Sequence, residues 1–475
     1  MFDGEKNLGQ VDVHVADGVI VSVGGPRVTG VEVVDAIGAT LLPGLIDAHT
    51  HTDASMLRQA LTFGVTTELD MGSVPATMIP LRAEVEADRT FADVRSASFS
   101  LTHLDGHPHR FRKGLNDPVW PTATTVAEAA GFVDDRISEG ADYIKVIAES
   151  GGAFGFQLPH VPLEIHAAVI AEAHARGKMV MAHAMTLHET EQMVDAGVDG
   201  LAHLFADTAH TPEIVDRIAS ANVFVVPTLT PLASLVGLSH STDLAQDPRV
   251  AEKLSPELRA HLSDTFGALP ASHFDMALAT IAALRQAGVD VIAGTDAAAL
   301  TVRGVTHGAS LHGELQLFVQ AGFSPAEALR SATSLTARRF GLHDRAASSK
   351  ACGQISSWST VIPPRPSTTA CRFARSGDRA PASRPHPRSA PGEPAKSDEG
   401  VSPIRRSAGL TPRSGDASNC PALTCRRTPV NANSPSYPGL PCVSPPTNNT
   451  VAAASPPWGT TASSILSLAR RRFST

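Results

Sequence analysis

Eight short apolar segments, separated by longer helical stretches, are the feature that most constrains the fold of this 475-residue chain. Strands that alternate with helices along a sequence are typical of βα units, in which a helix connects two parallel strands. Eight such units predict an α/β protein, a (β/α)8 TIM barrel, with strands buried on both faces. The predicted strands are Leu41–Asp47, Val65–Glu68, Val94–Ser100, Tyr143–Ile147, Met179–His183, Gly200–Leu204, Phe224–Pro227 and Val289–Thr295.

The segments between and after these strands predict helices, several of them opened by a capping residue or an early proline and closed by glycine. Residues 229–270 form a long insertion after the seventh strand, which we interpret as a lid over the carboxyl ends of the strands. The predicted helices are Val126–Gly140, Pro162–Arg176, Leu187–Ala196, Pro212–Ala221, Phe274–Ala287, Leu311–Ala321 and Pro325–Phe340.

The first predicted strand ends in two histidines, His49 and His51. Residues two apart on a strand project to the same side, so both imidazoles point one way. Two imidazoles at the carboxyl end of a buried strand form half of a divalent-metal site, and active sites of TIM barrels lie at this end. For a His-x-His sequence by itself, a polar strand end with two hydrogen-bonded histidines is an equally good interpretation.

Four more polar residues belong to the carboxyl halves or ends of later strands, namely Lys145, His183, His203 and Asp296. Because the carboxyl ends of barrel strands converge on one cavity, these side chains and the two histidines can form a single cluster. Taken singly, each histidine could be a core residue, Asp296 a helix N-cap and Lys145 the partner of a carboxylate. Their positions at successive strand ends favour a metal site.

Lys145 is the informative member of the cluster because apolar strand residues flank it in Tyr143-Ile144-Lys145-Val146-Ile147. Burial and neighbouring cations both disfavour the charged ammonium. A neutral lysine amine can add CO2 and become a carbamate, which is anionic and bidentate. A carbamate of this kind can bridge two metal ions.

Together these residues resemble the amidohydrolase superfamily, in its imidazolonepropionase-like and Xaa-Pro-dipeptidase-like branch. The resemblance implies that His49, His51 and Asp296 bind one metal ion, that His183 and His203 bind the other, and that carbamylated Lys145 bridges them. Imidazolonepropionase itself uses one metal ion and lacks the lysine, so Lys145 indicates the binuclear, dipeptidase-like side. The motifs are Pro43-Gly44-Leu45-Ile46-Asp47-Ala48-His49-Thr50-His51, Ile144-Lys145, His183-Ala184, Gly197-Val198-Asp199-Gly200 with His203, and Gly294-Thr295-Asp296.

The resemblance implies an enzyme that cleaves a C–N amide bond of a small molecule, either a dipeptide or an N-acyl amino acid, with a cyclic amide as the alternative substrate. A water shared by two divalent ions would ionise near neutral pH and attack, with Asp296 taking its proton and passing it to the leaving amine. Zinc is the favoured metal, and manganese, iron and cobalt are alternatives.

Two residues after the third strand are candidate substrate contacts. His107 is placed to polarise the substrate carbonyl, and Arg110 could hold a substrate carboxylate as a fork. Either could equally be a solvated loop residue. His307, His312 and Glu314 follow the eighth strand and have no defined role.

The composition divides the chain into a barrel with a small domain before it and an unrelated tail after it. Residues 346–475 contain 19 of the 35 prolines, all five cysteines and 16 Lys and Arg against 5 Asp and Glu. Residues 1–345 carry 23 against 42. We predict that residues 1–40 form the N-terminal part of a small β-sandwich domain, which is incomplete because its first strand is expected to be missing. Residues 41–345 are predicted to form the barrel, and residues 346–475 a disordered tail.

The abrupt change after Arg345 suggests a shifted reading frame. Family members continue there with a segment resembling G-R-I-x-x-G-x-x-A-D-L-V-x-x-D-G-D-P, and back-translation of Ala346–Pro363 with the bases regrouped one position back permits such a segment. We therefore hypothesise that residues 346–475 are translated out of frame. A natural disordered extension is the alternative, and a catalytically dead metal-binding product of a damaged gene is the rival to an active enzyme.

The apolar runs, the N-terminal sequence and the charge pattern of the tail limit where the protein is located and what it binds. No apolar run reaches the ~20 residues of a membrane helix and the N-terminus lacks a signal-peptide pattern, so we expect a cytoplasmic protein without membrane contact. The basic charges of the tail are scattered and aromatic residues are few, which argues against nucleic acid as a partner. A homo-oligomer is left open.

Overall fold

The structure, a computed structural model, describes residues 1–16, 19–112, 118–345 and 358–361. Its strands are β1 (Val13–Ala16), β2 (Val19–Val23), β3 (Thr40–Pro43), β4 (Leu45–His51), β5 (Val65–Asp70), β6 (Asp93–Ser96), β7 (Ile144–Ala148), β8 (Val180–Ala184), β9 (Gly200–Ala202), β10 (Phe224–Val226), β11 (Ala297–Ala298) and β12 (Trp358–Val361). Its helices are α1 (Ala54–Thr62), α2 (Pro75–Ala87), α3 (His109–Arg112), α4 (Ala129–Ser138), α5 (Leu163–Ala175), α6 (Leu187–Asp195), α7 (Pro212–Ser220), α8 (Leu229–Leu235), α9 (His240–Gln246), α10 (Pro248–Ala251), α11 (Pro256–Leu262), α12 (Ser272–Gln286), α13 (Ala309–Gln320), α14 (Pro325–Ser331) and α15 (Ser334–Arg339).

Strands β4 to β11 form two four-stranded parallel sheets, with the orders β11-β4-β5-β6 and β10-β9-β8-β7. Within each sheet, all neighbouring strands are parallel. Parallel neighbours require crossover connections, which helices such as α1, α2, α5, α6 and α7 supply between successive strands. The predicted α/β class with parallel strands is therefore confirmed.

The edges of the two sheets are linked by backbone hydrogen bonds on both sides. After β6, the Leu101 N–H donates to the Lys145 carbonyl (2.9 Å), and the Ile147 N–H donates to the Leu101 carbonyl (3.0 Å). On the other side, the Ile292 N–H donates to the Val225 carbonyl (2.8 Å). The Ala48 N–H of β4 donates to the Ala293 carbonyl (3.0 Å), so residues 290–293 connect β10 to β4.

Apolar side chains of the strands alternate between two buried clusters. In β8, Val180, Ala182 and Ala184 belong to a large cluster that also contains the apolar faces of the helices. Met181, which lies between them, belongs to a second cluster made of residues from β4, β5 and β8 to β10 and capped by Leu335 and its neighbours. Since successive strand residues point to opposite faces, the two clusters mark a helix-covered face and an inner face.

The first barrel strand begins later than predicted. Leu41–Pro43 belong to β3, which pairs antiparallel with β12, and the parallel strand β4 starts at Leu45 and runs to His51. Gly44 separates the two because it passes close to β5, where a Cβ on Gly44 would lie 2.1 Å from Thr66 Oγ1. The predicted strand Leu41–Asp47 was therefore wrong at both ends.

Two other predicted elements differ for one shared reason. Val289–Thr295 is not a regular strand, and Pro325–Phe340 is two helices, α14 and α15, instead of one. The backbone leaves the helical conformation at Thr333, where φ is −136° and ψ is −103°. Because of this break, the Ser331 carbonyl accepts from the Ala293 N–H and the Ala332 carbonyl accepts from the Ile46 N–H. The end of α14 thus bonds residue 293, where the eighth strand was predicted, and strand β4.

Residues 229–270, predicted to be a long insertion, fold into helices α8 to α11. Leu229, Leu232 and Ala233 of α8 are buried in the large core cluster. Leu262 of α11 packs with Phe63 in a smaller cluster. This segment is therefore packed structure, and a lid motion stays a prediction.

The predicted small β domain is represented by the antiparallel hairpin β1–β2 and by β3 with β12. The predicted tail, residues 346–475, lies outside the described residues except for β12. In the part of the chain that the structure describes, none of the helices has the length and apolarity needed to cross a bilayer.

Candidate active site

The end of β4 and the turn before β11 bring three predicted ligands into contact. The carboxylate oxygen Oδ1 of Asp296 lies 3.2 Å from His49 Nε2 and 3.3 Å from His51 Nε2. Asp296 has a left-handed backbone (φ 53°), and its N–H donates to the His49 carbonyl at 2.7 Å. The segment Gly294-Thr295-Asp296 is thereby held against the carboxyl end of β4, which carries His49 and His51.

The imidazoles of five predicted site residues form a continuous row. Ring centroids lie 5.7 Å apart between His51 and His49, 4.7 Å between His49 and His203, and 4.6 Å between His203 and His183. The row ends with His107, whose ring is 4.8 Å from that of His183. One ligand atom each from His49, His203 and Asp296 lies within 4.8 Å of the others, which is a spacing that one metal ion can span.

Lys145 of β7 lies on the inner face of the sheet. Its neighbours Ile144 and Val146 pack in the cluster on the helix-covered face, so the lysine side chain points the other way. The residue is 3% exposed, and within the described ranges its side chain makes neither a hydrogen bond nor an ion pair. The described residues therefore give no direct carboxylate partner of the kind that the alternative interpretation requires.

Electrostatics couple Lys145 to the other predicted ligands. Burial lowers the pKa of Lys145 to about 7, although the charges of Asp296 and Asp70 oppose this. In turn the lysine charge contributes, after burial, to lowering the pKa of His49 and of His183, each to about 3. The lysine therefore lies close enough to the imidazoles to act on them, and it has a substantial neutral fraction near neutral pH.

Protein groups outside the cluster bond one ring nitrogen of three of its histidines. His51 Nδ1 bonds the Gly72 carbonyl (3.0 Å), and His203 Nδ1 bonds Thr228 Oγ1 (2.7 Å). His183 Nε2 bonds Glu149 Oε2 (2.9 Å). Metal-binding histidines commonly show this arrangement, in which an outer partner fixes the ring and the tautomer. His51 Nε2 faces the Asp296 carboxylate. Among the described residues, Nε2 of His203 and Nδ1 of His183 have no hydrogen-bond partner.

The charge state of the cluster suits a divalent cation. Burial holds the pKa of His49, His183 and His203 well below the ordinary histidine range, so these imidazoles are neutral. The pKa of Asp296 is lowered despite its burial, because His49 and His51 lie beside it. Neutral imidazoles with one carboxylate are a donor set that zinc and related metals accept.

The two predicted substrate contacts differ in position. His107 joins the row of rings next to His183, and burial lowers its pKa to about 3, so its ring is neutral. Arg110, on α3, is exposed, and no described contact joins it to the histidines. The structure thus brings His107 into the cluster and leaves Arg110 outside it.

Sequence reasoning missed several residues that hold the cluster in place. Glu149, two positions beyond Ile147, bonds His183, and its place just after a strand end was a usable signal. Asp47 accepts from the His49 N–H (3.2 Å), the Thr295 N–H (3.0 Å) and the Thr295 hydroxyl (2.7 Å). This carboxylate ties together the two chain ends that carry His49, His51 and Asp296, and only the tertiary structure reveals it.

The comparison with protein families gives one assignment. The pattern of the Amidohydrolase family matches residues 40–348, which is more than half of the chain. The chain belongs to the Amidohydrolase family, and the predicted superfamily is confirmed. Membership in this family makes the chain an amidohydrolase.

Individual relatives share sequence or fold with this chain. An uncharacterized protein of Mycobacterium tuberculosis (strain ATCC 25618 / H37Rv) is 25% identical over 325 residues, which cover 66% of this chain and 79% of that protein. A crystal structure of a Xaa-Pro dipeptidase with bound methionine in the active site is 22% identical, with a TM-score of 0.58 over 76% of this chain and 92% of that one. Molinate hydrolase is 16% identical, with a TM-score of 0.59 over 75% of this chain and 87% of that one. These structural likenesses show a shared fold. A Xaa-Pro dipeptidase, the kind of enzyme that defines the predicted branch, is among the structures that share it.

Proposed function

We propose that this protein is a binuclear metal-dependent amidohydrolase that cleaves the amide bond of a dipeptide or an N-acyl amino acid. The observation that carries the proposal is the position of Lys145, which is buried within electrostatic reach of His49, His183 and His203 and whose side chain makes no ion pair with the described residues. A lysine used only for structure would be expected to have a carboxylate partner when buried.

We also infer that the two parallel sheets close into one (β/α)8 barrel. The backbone bonds at both sheet edges and the alternation of side chains between two clusters support this inference. In a closed barrel the carboxyl ends of all strands face one cavity. The ligands from β4, β7, β8 and β9 and the turn before β11 would then line a single site.

The donor set divides naturally into two groups. Asp296 contacts both His49 and His51, and these three would hold one metal ion. His183 and His203, each with one ring nitrogen that has no hydrogen-bond partner among the described residues, would hold a second. Lys145, as a carbamate, would complete the donor set. The bound ions would supply Lewis acidity and would lower the pKa of a bound water. Zinc suits these donors, and manganese, iron or cobalt would be accepted as well.

The chain's own residues would move the proton. Asp296 is ionised and fixed by two imidazoles, so it can accept a proton from the attacking water and return it to the leaving amine. His107 is neutral and buried at the end of the imidazole row, so its ring can donate a hydrogen bond to the substrate carbonyl oxygen. The role of Arg110 in binding a substrate carboxylate stays a prediction without a supporting contact.

The proposed substrate class draws on the matching structures. One of them is a Xaa-Pro dipeptidase with methionine in its active site, and another is a prolidase with N-methylphosphonate-L-proline. Both names describe enzymes of dipeptides, which supports a linear amide for this chain. A cyclic amide stays the alternative within the same chemistry.

Turnover of an amide panel tests the proposal. The purified full-length protein should hydrolyse at least one class of dipeptide, N-acyl amino acid or cyclic amide, and removal of metal by a chelator should abolish the activity reversibly. Lys145→Ala should lose the activity, and Ser138→Ala, on the exposed end of α4, should keep it. A folded, metal-loaded wild type that is idle on every amide would favour the catalytically dead alternative.

A further inference from the structure

Glu314 of α13 is a buried carboxylate with an unusual set of partners. Its exposed fraction is 0%, and it accepts three hydrogen bonds of 2.8 Å. The donors are the Leu229 N–H, the Thr230 N–H and the Thr230 hydroxyl, all in the first turn of α8. A carboxylate from another helix therefore satisfies the N–H groups at the start of α8, which its own N-cap residue would ordinarily serve.

Thr228, the residue before α8, does not cap its own helix. It makes no side-chain cap bond and has a left-handed backbone, with φ 49° and ψ 55°. Instead its hydroxyl lies 2.7 Å from Nδ1 of His203. Because Glu314 takes the N–H groups of the first turn, the hydroxyl of Thr228 is available to the imidazole.

The two residues joined by this bond both have an unfavourable backbone. His203 has φ 94°, and a β-branched residue such as Thr228 is rarely left-handed. Such conformations persist only when surrounding contacts determine them. The three bonds to Glu314 are contacts of that kind, since they fix the chain immediately after Thr228.

We propose that Glu314 is a positioning residue that acts through the first turn of α8 and the Thr228 hydroxyl to set the ring of His203. The inference rests on the proposed function, because it takes His203 to bind the second metal ion through Nε2. With Nδ1 held by Thr228, the Nε2 lone pair is directed away from Thr228 toward the row of His49 and His183. A carboxylate on a distant helix thereby controls one metal ligand.

Metal titration of four variants tests this inference. Thr228→Val removes the hydroxyl at constant shape, and Thr228→Ser keeps a hydroxyl. Glu314→Gln turns one acceptor oxygen into a donor that faces an N–H group. The matched control is Ser324→Ala, which removes the cap of α14, where the Ser324 hydroxyl accepts from the Glu327 N–H.

The readouts are the affinity for each of two Co²⁺ ions by equilibrium dialysis and the visible spectrum of the cobalt-loaded protein. We expect wild type, Ser324→Ala and Thr228→Ser to bind two ions with the same spectrum. Thr228→Val and Glu314→Gln should bind the weaker ion about 10-fold to 100-fold less tightly, with a changed spectrum, as expected when the outer partner of a histidine ligand is removed.

The possible failures are distinguishable. If wild type binds two ions and Thr228→Val and Glu314→Gln bind both as tightly with an unchanged spectrum, the positioning role is wrong and the proposed function stands. If Ser324→Ala weakens the second ion as much as Glu314→Gln does, Glu314 acts only through stability, and the inference is also wrong. A folded wild type that binds fewer than two ions contradicts the proposed function and this inference together.

Discussion

At the scale of single residues, the candidate site depends on outer partners that fix each imidazole. Gly72, Thr228 and Glu149 each bond one nitrogen of a predicted ligand. The Glu149 carboxylate is 3% exposed, and burial raises its pKa. Its bond to His183 Nε2 leaves Nδ1 as the donor atom for a metal ion.

Replacement of this carboxylate tests its role. Glu149→Gln keeps the size of the side chain and weakens the hydrogen bond to His183, so we expect metal affinity to fall about 10-fold to 100-fold. The loss should be measured as metal retained after dialysis against a graded chelator. Glu139→Gln is the matched control, because the described partners of the Glu139 carboxylate are Arg136 and Ser98 and include no histidine. Equal retention by Glu149→Gln and wild type would contradict the assignment.

Glu314 also predicts a pH dependence of stability in the metal-free protein. Burial raises the pKa of Glu314 from 4.5 to about 7. Between these values the folded protein holds a proton that the unfolded chain releases, so the free energy of unfolding falls as pH rises through this window. The loss attributable to Glu314 is about 3 kcal/mol, at about 1.4 kcal/mol for each pH unit.

Urea denaturation at pH 5, 6, 7 and 8 measures this effect. As pH rises, the unfolding free energy of wild type should fall relative to that of Glu314→Gln. This relative loss should level off above pH 7. A difference that stays constant over the whole range would show that Glu314 does not change its protonation there.

The sequence predicted the ligand residues because each follows or ends a recognisable strand, and strand ends converge whatever the details of the loops. It could not predict Thr228 or Glu314. Their roles depend on α8 starting where it does and on α13 passing beside it, with 84 residues separating the bonded atoms of Thr230 and Glu314. Such pairs carry no local signal in the sequence.

At the scale of elements, the close approach of the eighth strand position to β4 is set by Gly294. A Cβ at Gly294 would lie 2.5 Å from Val226 Cγ1, 2.8 Å from the His49 nitrogen and 3.0 Å from His49 Cβ. Real side chains do not fit at such distances, so β4 or its neighbour would have to move. The neighbouring Thr295 and Asp296 N–H groups both donate to the His49 carbonyl, and these bonds would be strained.

Gly294→Ala should therefore lower the unfolding free energy by about 1–3 kcal/mol, the usual cost of overpacking, and should weaken metal retention because His49 moves. Gly131→Ala is the control. Gly131 lies inside α4 with nothing within 4 Å of an added Cβ, and the change should stabilise the protein by about 0.5–1 kcal/mol. Normal stability and metal retention in Gly294→Ala would contradict the tight approach.

Element boundaries were the least predictable part of the fold. Pro325–Phe340 reads as one helix because its local propensities are continuous. The break at Thr333 is stabilised by carbonyls that bond Ile46 and Ala293, which are far away in sequence. Leu41–Asp47 reads as one strand because nothing in its composition marks the change of partner at Gly44, from β12 to β5.

At the scale of the whole molecule, the match to the family ends at residue 348, close to the change in composition after Arg345. Arg345 is 8% exposed and bonds Asp93, Asp344 and the Thr67 hydroxyl. These contacts anchor the end of the family-like sequence beneath β5 and β6. We propose that the natural chain continues beyond Arg345 in another reading frame. The division into a small β domain up to residue 40 and a barrel up to residue 345 also stays a proposal.

Resequencing of the DNA around codon 345 tests the frame directly. We expect one base to be gained or lost there relative to close relatives, and the corrected frame to encode a segment like G-R-I-x-x-G-x-x-A-D-L-V-x-x-D-G-D-P. An unchanged base count across that position would support a natural extension instead.

The number and position of bound metal ions test the central claim most directly. Anomalous diffraction from crystals of the zinc-loaded protein should show two peaks, one coordinated by His49, His51 and Asp296 and one by His183 and His203. Electron density for a carbamate on Lys145 should join them. A single peak, or an unmodified Lys145 amine turned away from two separate ions, would contradict the binuclear centre.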